Sequence, residues 1–232
     1  MTQAHPTPAR VPAPRTAPAE IHAAAPALGW YSDNVLFGEV WERSELPKRD
    51  RSIATITTLI TRGYTQQLTG HFNRALTNGV TPTEIVEIVT HLAFYAGWPC
   101  AMSAVGVMQQ VFTARQVGAE QVRSSINEQL AMPDAAAIAG STQLAPAFDE
   151  LSARVIEGEL WQRTELAARD RHLVTLVTLL AQGELDQLPA ACARAMASGL
   201  RRHELGEVLT HLAFYLGWPR VQQAAQRLAQ AA

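Results

Sequence analysis

The feature that most limits how this chain can fold is an internal repeat with an offset of 120 residues. Three segments return with most of their residues unchanged: 35–43 (VLFGEVWER) as 155–163 (VIEGELWQR), 49–51 (RDR) as 169–171, and 91–99 (HLAFYAGWP) as 211–219 (HLAFYLGWP). About 30 of the roughly 65 aligned positions from 35 to 99 are identical, with no gap. Solenoid repeats have periods of about 20–50 residues, so this period indicates duplication of a whole folded module.

The repeat divides the 232 residues into four predicted segments. They are a flexible Pro/Ala-rich tail at 1–28, a first module at 29–116, a linker at 117–146 and a diverged second module at 147–232. The linker is predicted to contain a polar helix from about 118 to 132. The tail has few bulky apolar residues, so we expect it to form neither a helix nor a core, although it can serve as an arm on a neighbouring subunit. It lacks the pattern of a secretory signal, which favours a cytoplasmic protein.

The start and stop signals of the first module are those of helices. Asn34 can cap a first helix that ends near residue 43, and Pro47 can open a second that ends at Gly63. A third helix is predicted over about 65–77. Thr81 and Glu84 form a capping box that starts a fourth helix, which runs to residue 97, and a fifth begins at residue 99. Because no useful length of β-alternation is present, the predicted fold class is all-α.

One segment tests that prediction, because residues 88–112 contain no charged side chain. In the second copy the corresponding helix carries Arg220 and Arg227, and Gly-Trp-Pro divides both copies into shorter helices. We therefore predict a deeply buried helix pair that also contributes to a subunit interface, and not a membrane span.

Charge and motifs exclude several classes of function. With 21 acidic and 19 basic residues, the chain has no basic excess for binding nucleic acid or an anionic membrane. Cys100 and Cys192 form no CxxC and are interpreted as small buried apolar residues. The sequence contains no HExxH, GxSxG or Gly-rich phosphate loop, so we predict no metal site and no cofactor.

Two histidines within the apolar helices are the first candidates for chemistry. His71 lies near the apolar stripe of the third helix, where an imidazole can exchange a proton at neutral pH. His91 lies at the centre of the fourth helix and can be a second acid or base, or a partner that orients the first. The alternative for both is a buried structural histidine with a satisfied hydrogen bond.

Arginine, glutamate and aromatic residues complete the set. Arg51 can hold a substrate carboxylate or pair with Asp50 or Glu87, and Glu87 shares a helix face with His91. Tyr95 and Trp98 are interpreted as pocket wall or as packing.

Alignment of the two modules separates these candidates. Trp41, Arg51, Glu87, His91 and Tyr95 are matched in the second module, which is typical of a shared scaffold. Four polar residues of the first module are not matched in the second: His71 aligns with Ala191, Asn73 with Ala193, Asn78 with Ser198, and Tyr64 with Glu184. A single working site needs such residues, so we predict that chemistry belongs to module one and that module two acts as partner or wall.

The chain resembles the carboxymuconolactone decarboxylase family, which is related to the AhpD-like alkylhydroperoxidases. The resemblance rests on the 35–43, 49–51 and 91–99 segments above, on Gln67-Leu68 leading to His71, on 74–81 (RALTNGVT) and on Glu84 with Glu87. It implies AhpD-like helical modules, two of which form a pseudo-dimer within this chain. It also implies a homo-oligomer, here a trimer of two-module chains that forms a pseudo-hexameric ring.

The resemblance also bears on activity. The peroxidase branch needs a Cys-x-x-Cys where this chain has Tyr64 and Gln67, so peroxide reduction is not expected, and its relay glutamate would fall near Ser52. The decarboxylase branch lacks those cysteines too. It implies His71 as proton donor or base, Arg51 as anchor, and His91 with Glu87 in support, with Tyr64, Asn78, Tyr95 and Trp98 around the substrate.

The predicted function is that of a cofactor-independent lyase acting on a small carboxylated lactone or enolisable ring compound. Two alternatives remain open at this point. One is an enzyme of specialised metabolism, an isomerase, cyclase or metal-assisted enzyme on the same scaffold. The other is a non-catalytic binding or scaffold protein.

Overall fold

The protein is described by a computed structural model, which covers residues 14–125 and 144–230. These residues contain eleven α-helices and no strand, which confirms the all-α prediction. The first part of the chain forms α1 (Ala19–Ala24), α2 (Pro26–Tyr31), α3 (Lys48–Thr61), α4 (Thr65–Thr77), α5 (Pro82–Tyr95) and α6 (Trp98–Ala114). The second forms α7 (Pro146–Leu151), α8 (Ala168–Gln182), α9 (Leu188–Ala197), α10 (Arg202–Leu216) and α11 (Trp218–Gln230).

The helix boundaries follow the local signals. Pro47 is the N-cap of α3, and the capping box of Thr81 and Glu84 at the start of α5 is present in full. Gly97 and Gly217 adopt φ of 99° and 86°, a left-handed conformation that lets the chain turn from α5 into α6 and from α10 into α11. The same turn chemistry therefore recurs in both modules.

The two central helices are α3 and α8, which pack against each other. Every residue from 50 to 60 and all but one from 170 to 181 is buried. Helix α10 of the second module packs on α3, while α5 of the first packs on α8. A helix that is buried all round lies inside a larger core, so one continuous core connects the modules.

Two predicted helices differ from the structure. In place of the helix expected from Asn34, the chain forms a π-helical turn at Ser32–Phe37 and a 3-10 turn at Val40–Glu42. The linker helix is absent over 118–125, where a 3-10 turn at Ala119–Gln121 leads into extended chain. Side chains of the modules take over the backbone hydrogen bonds there, since Ser125 donates its N–H to Glu165 at 2.8 Å. Residues 126–143 lie outside the described part.

The expectation that the tail forms no helix is wrong for its second half. Helix α1 lies within it, and Pro26 opens α2. Proline is tolerated at the start of a helix, and alanine supports its interior, so this composition does not prevent short helices. Asp33 anchors the segment by accepting the N–H groups of Thr16 and Ala17, each at 2.7 Å. Residues 1–13 lie outside the described part.

The charge-free run is buried in one helix and exposed in the next. Helix α5 buries Ile88 and Leu92, as predicted, whereas α6 exposes 56% of Trp98 and 61% of Met102. No helix among the described residues is long and apolar enough to cross a membrane. The exposed face of α6 corrects the expectation that both helices are deeply buried.

Candidate active site

Two polar clusters lie where the modules meet, and they are related by the 120-residue offset. The Trp41 site combines Trp41, Arg51, Thr55, His71 and Arg74 of module one with Glu207, His211 and Tyr215 of module two. The Trp161 site combines Trp161, Arg171, His172, Thr175 and Arg194 of module two with Glu87, His91 and Tyr95 of module one. Each site therefore takes residues from both modules. The contacts between the modules are therefore reciprocal.

A tryptophan and a tyrosine join the modules in each site. Trp41 donates its Nε1–H to the Tyr215 hydroxyl at 3.0 Å, and Trp161 donates to the Tyr95 hydroxyl at 2.8 Å. Burial raises the pKa of Tyr215 to about 12. The Tyr215 hydroxyl therefore keeps its proton at neutral pH and can act as a hydrogen-bond donor.

Behind the tyrosine, buried glutamates bind arginines of the other module. Glu207 accepts two bonds from Arg43, at 2.8 and 2.7 Å, and one from Arg51 at 3.1 Å. The bonds from Arg43 hold the pKa of Glu207 below its usual value. Glu87 is bound in the same way by Arg163, at 2.9 and 2.5 Å, and by Arg171 at 3.4 Å. These charged pairs hold the modules in register.

The Arg51 side chain does not reach solvent. Its side chain is 0% exposed, and besides Glu207 it donates to the Arg43 carbonyl at 2.9 Å. The sequence left open whether Arg51 holds a substrate or pairs with Asp50 or Glu87, and the structure gives it another partner, Glu207. In this position its charge supports the site from behind.

The histidines of α5 and α10 are held as neutral tautomers. Thr175 uses its proton to bind the Arg171 carbonyl, so His91 Nε2, 2.8 Å from the Thr175 oxygen, is the donor. His91 Nδ1 then faces the Arg171 guanidinium at 3.5 Å. Burial, followed by the charge of Arg171, lowers the pKa of His91 to about 3. His91 is therefore neutral at physiological pH.

His211 repeats the bond to a threonine in the Trp41 site, although its buried Nδ1 has no hydrogen-bond partner among the described residues. Its Nε2 lies 2.8 Å from the Thr55 hydroxyl, which itself donates to the Arg51 carbonyl. Burial lowers the pKa of His211 well below the ordinary value. His91 and His211 are thus part of the scaffold. Each orients a threonine, and each ring lies beside a tyrosine, Tyr95 for His91 and Tyr215 for His211.

His71 differs from these two histidines, because its side chain is half-buried and it makes no hydrogen bond to a threonine of the described residues. Its centroid is 6.2 Å from Trp41 and 5.6 Å from Tyr215. Its Nδ1 is buried and has no hydrogen-bond partner among the described residues. Burial, together with the Arg74 charge, lowers its pKa to about 4. His71 is therefore a neutral imidazole with an uncommitted nitrogen, which is able to accept a proton or a hydrogen bond.

Arg74 is the guanidinium nearest to this chemistry. It lies over the rings of Phe37 and Trp41, with Cζ at 4.5 and 5.0 Å from their centroids, and is half-buried. No carboxylate of the described residues forms an ion pair with it, unlike Arg51. Its charge is available to an anionic ligand.

The two sites differ at three aligned positions. His71 aligns with Ala191, Ser52 with His172, and Phe37 with the exposed Glu157. In the Trp41 site Phe37 stacks 6.2 Å from Trp41, which is only 1% exposed. In the Trp161 site the His172 ring lies 4.6 Å from Trp161, and a pocket of about 330 Å³ is open beside it.

The predicted site residues are thus divided between several places. His71 and Arg51 lie in the Trp41 site, whereas His91, Glu87 and Tyr95 lie in the Trp161 site. The remaining three are arranged around neither tryptophan. Tyr64 stacks under Arg62, Asn78 donates to Ser52 at 2.9 Å, and Trp98 packs against Phe94. A single site containing all eight residues is therefore not formed within one chain.

Several residues that complete the two sites were not singled out for a role. Glu207, His211 and Tyr215 were visible as repeats of Glu87, His91 and Tyr95, but the reciprocal pairing across modules was not. Arg74 appeared only within the 74–81 segment, and His172 was visible as the counterpart of Ser52. Alignment of the modules was the signal that could have found His172.

The cysteines and the metal-ligating side chains offer less for chemistry. Cys192 is buried, which raises its pKa to about 11 and leaves an unreactive thiol, as predicted, while Cys100 is half-buried. Among the residues that the structure describes, no three His, Cys, Asp or Glu side chains converge as a metal site would require.

The fold and sites define a helical protein of two fused homologous modules. Residues 26–110 and 146–231 each match the carboxymuconolactone decarboxylase family, so the chain belongs to that family and carries it twice in tandem.

Two curated relatives are decarboxylases. The 4-carboxymuconolactone decarboxylase of Acinetobacter baylyi is 36% identical over 86 residues, which cover 37% of this chain and 64% of the relative. The nitrosuccinic acid decarboxylase of Metarhizium robertsii is 38% identical over 74 residues, which cover 32% of this chain and 52% of the relative. The chain thus spans less than two thirds of the length of each.

Proposed function

We propose that the chain is a cofactor-independent decarboxylase of small organic acids, and that the Trp41 site carries the reaction. The observation that supports this most is the pairing of His71, a neutral imidazole with an uncommitted nitrogen, with an unpaired guanidinium, Arg74. The decarboxylase relatives supply the reaction class. The names of these relatives denote a carboxylated lactone and a nitro-substituted diacid as substrates, each with a group that can receive an electron pair.

In the proposed reaction, Arg74 binds an anionic group of the substrate beside His71. This replaces the predicted anchor Arg51, which is fully buried against Glu207. The substrate anion favours the charged imidazole, so His71 takes up a proton from water when the substrate binds.

The bond between the carboxyl carbon and its neighbouring carbon then breaks, and CO2 leaves. Its electron pair is delocalised onto the lactone carbonyl or an equivalent acceptor, whose developing negative charge the Tyr215 hydroxyl stabilises by donating a hydrogen bond. His71 returns its proton to the carbon and becomes neutral again. Trp41 holds the tyrosine and His211 holds the threonine in place.

The test is CO2 release from 4-carboxymuconolactone and from nitrosuccinate by the purified full chain. We expect turnover of at least one acid, and we expect Tyr215→Phe to lower kcat more than it raises KM, because the hydroxyl acts on charge that develops in the transition state. Absence of turnover with both acids and with β-keto acids would contradict the proposal and favour a non-catalytic role.

We also propose the predicted trimer of two-module chains. The exposed apolar side chains of α6, Trp98 and Met102, together with Trp218 of α11, are suited to contacts between chains. Light scattering on the purified protein is expected to give three times the chain mass. A Met102→Glu variant should lower that mass, and a monomeric wild-type protein would contradict the assembly.

A further inference from the structure

The open pocket in the Trp161 site contains its own histidine, placed differently from His71. His172 lies on the central helix α8, whereas His71 lies on α4, whose counterpart is α9. Both rings nevertheless reach the equivalent tryptophan, at 4.6 and 6.2 Å. Ala191 replaces His71 in the second module and is buried, and the pocket of about 330 Å³ is lined by its neighbours in sequence, Gln187 and Arg194.

The lining of this pocket offers binding groups of several kinds. Arg194 is exposed at its edge, and none of the ion pairs among the described residues involves it. Trp161 supplies a half-buried ring, and Leu179 an apolar contact. The Tyr95 oxygen accepts from Trp161, and its own proton is given to no acceptor in the described part of the chain.

The electrostatics select the charge of a ligand. Two carboxylates bear on the pocket. Glu87 is fully buried and bound by Arg163 and Arg171, and the exposed Glu184 accepts a bond at 3.4 Å from Gln187, which lines the pocket. Burial, and to a smaller extent the charge of Arg194, lowers the pKa of His172. Its imidazole is therefore neutral and can donate or accept one hydrogen bond. One available guanidinium beside neutral donors and an aromatic wall suits a single carboxylate on a flat body.

We propose that the Trp161 pocket is a second binding site, for small flat carboxylates, in which Arg194 binds the carboxylate and His172 and Tyr95 hydrogen-bond the ligand. The site is separate from the His71 chemistry and does not depend on the function proposed there. Duplication of the module has thus produced two unequal sites, with the histidine moved from one helix to another.

The test uses benzoate as the probe and the full chain as the protein. Benzoate is titrated while the imidazole C–H signals are followed by NMR, with the His172 signal assigned by its loss in His172→Gln. We expect saturable movement of the His172 signal. Arg194→Gln should weaken benzoate binding at this signal by about tenfold or more, because a charge-assisted contact is lost.

Arg202→Gln is the matched control, since Arg202 is an exposed arginine of the same module that does not line this pocket. It removes the same net charge and should leave the dissociation constant of benzoate within about twofold. Circular dichroism checks that each variant is folded. A His172 signal that does not move, or equal weakening by the two arginine variants, would overturn the proposal.

Discussion

The Trp41 and Trp161 sites share one framework and differ in what fills it. Both contain the Trp–Tyr bond, the glutamate between two arginines and the threonine bound to histidine. In one, Phe37, His71 and Arg74 crowd the tryptophan ring, and in the other a pocket remains with His172 at its wall. The shared residues hold the modules together, so the positions that differ are those free to change function.

The largest expected difference between the sites is in turnover. His71→Ala removes the proposed proton-transfer group, so kcat for CO2 release should fall by about 10²–10⁴-fold. The measurement is steady-state CO2 release, with circular dichroism as a check on folding. His203→Ala, which changes an exposed histidine on α10, is the control and should retain full activity. A His71→Ala enzyme with unchanged kcat would remove the assigned chemistry from this site.

The next comparison concerns the buried charges that both sites share. Arg51→Met leaves Glu207 with Arg43 alone in a buried position, which should lower the free energy of unfolding by about 3–5 kcal/mol. Urea denaturation measures this. Arg171→Met, the counterpart in the Trp161 site, should have a similar effect, because Arg171 is equally buried and bound to Glu87. An unchanged free energy of unfolding in both variants would show that these charged pairs do not hold the modules in register.

Histidine burial makes stability depend on pH. Since the pKa of His71 is lowered to about 4, the unfolded chain binds more protons than the folded one between about pH 4 and 6.5. Stability contributed by the neutral His71 is therefore lost as pH falls through this window, with a limiting slope of about 1.4 kcal/mol per pH unit. Urea denaturation at several pH values should give a shallower slope for His71→Gln than for the wild type. Equal slopes would indicate that His71 is solvated.

The smallest expected effect concerns the tryptophan bonds. Trp41→Phe and Trp161→Phe each remove an N–H donor to a tyrosine hydroxyl, a loss of about 1 kcal/mol for the hydrogen bond. Trp41→Phe should lower the stability of the fold more than Trp161→Phe does, because Trp41 is 1% exposed and its truncation also leaves a cavity. Thermal unfolding of both variants gives the ranking, and a larger loss for Trp161→Phe would reverse the comparison.

Much of the fold could be predicted from the sequence, because the local signals agree with the tertiary packing. The capping box of Thr81 and Glu84 and the ends of α4 are found as predicted. The site was less readable. Glu87 and His91 share a helix face as expected, but their partners, Arg163 and Thr175, lie in the other module. No spacing within one module predicts a contact between modules, whereas the offset of 120 residues shows which residues are equivalent once one contact is known.

The central claim is that the two sites are unequal and that turnover belongs to the Trp41 site. The matched tyrosines test it most directly, since Tyr215 and Tyr95 accept the same tryptophan bond, one in each site. We predict that Tyr215→Phe lowers kcat for CO2 release at least about tenfold more than Tyr95→Phe, because only Tyr215 lies beside His71. Equal losses in the two variants, or a larger loss in Tyr95→Phe, would contradict the claim.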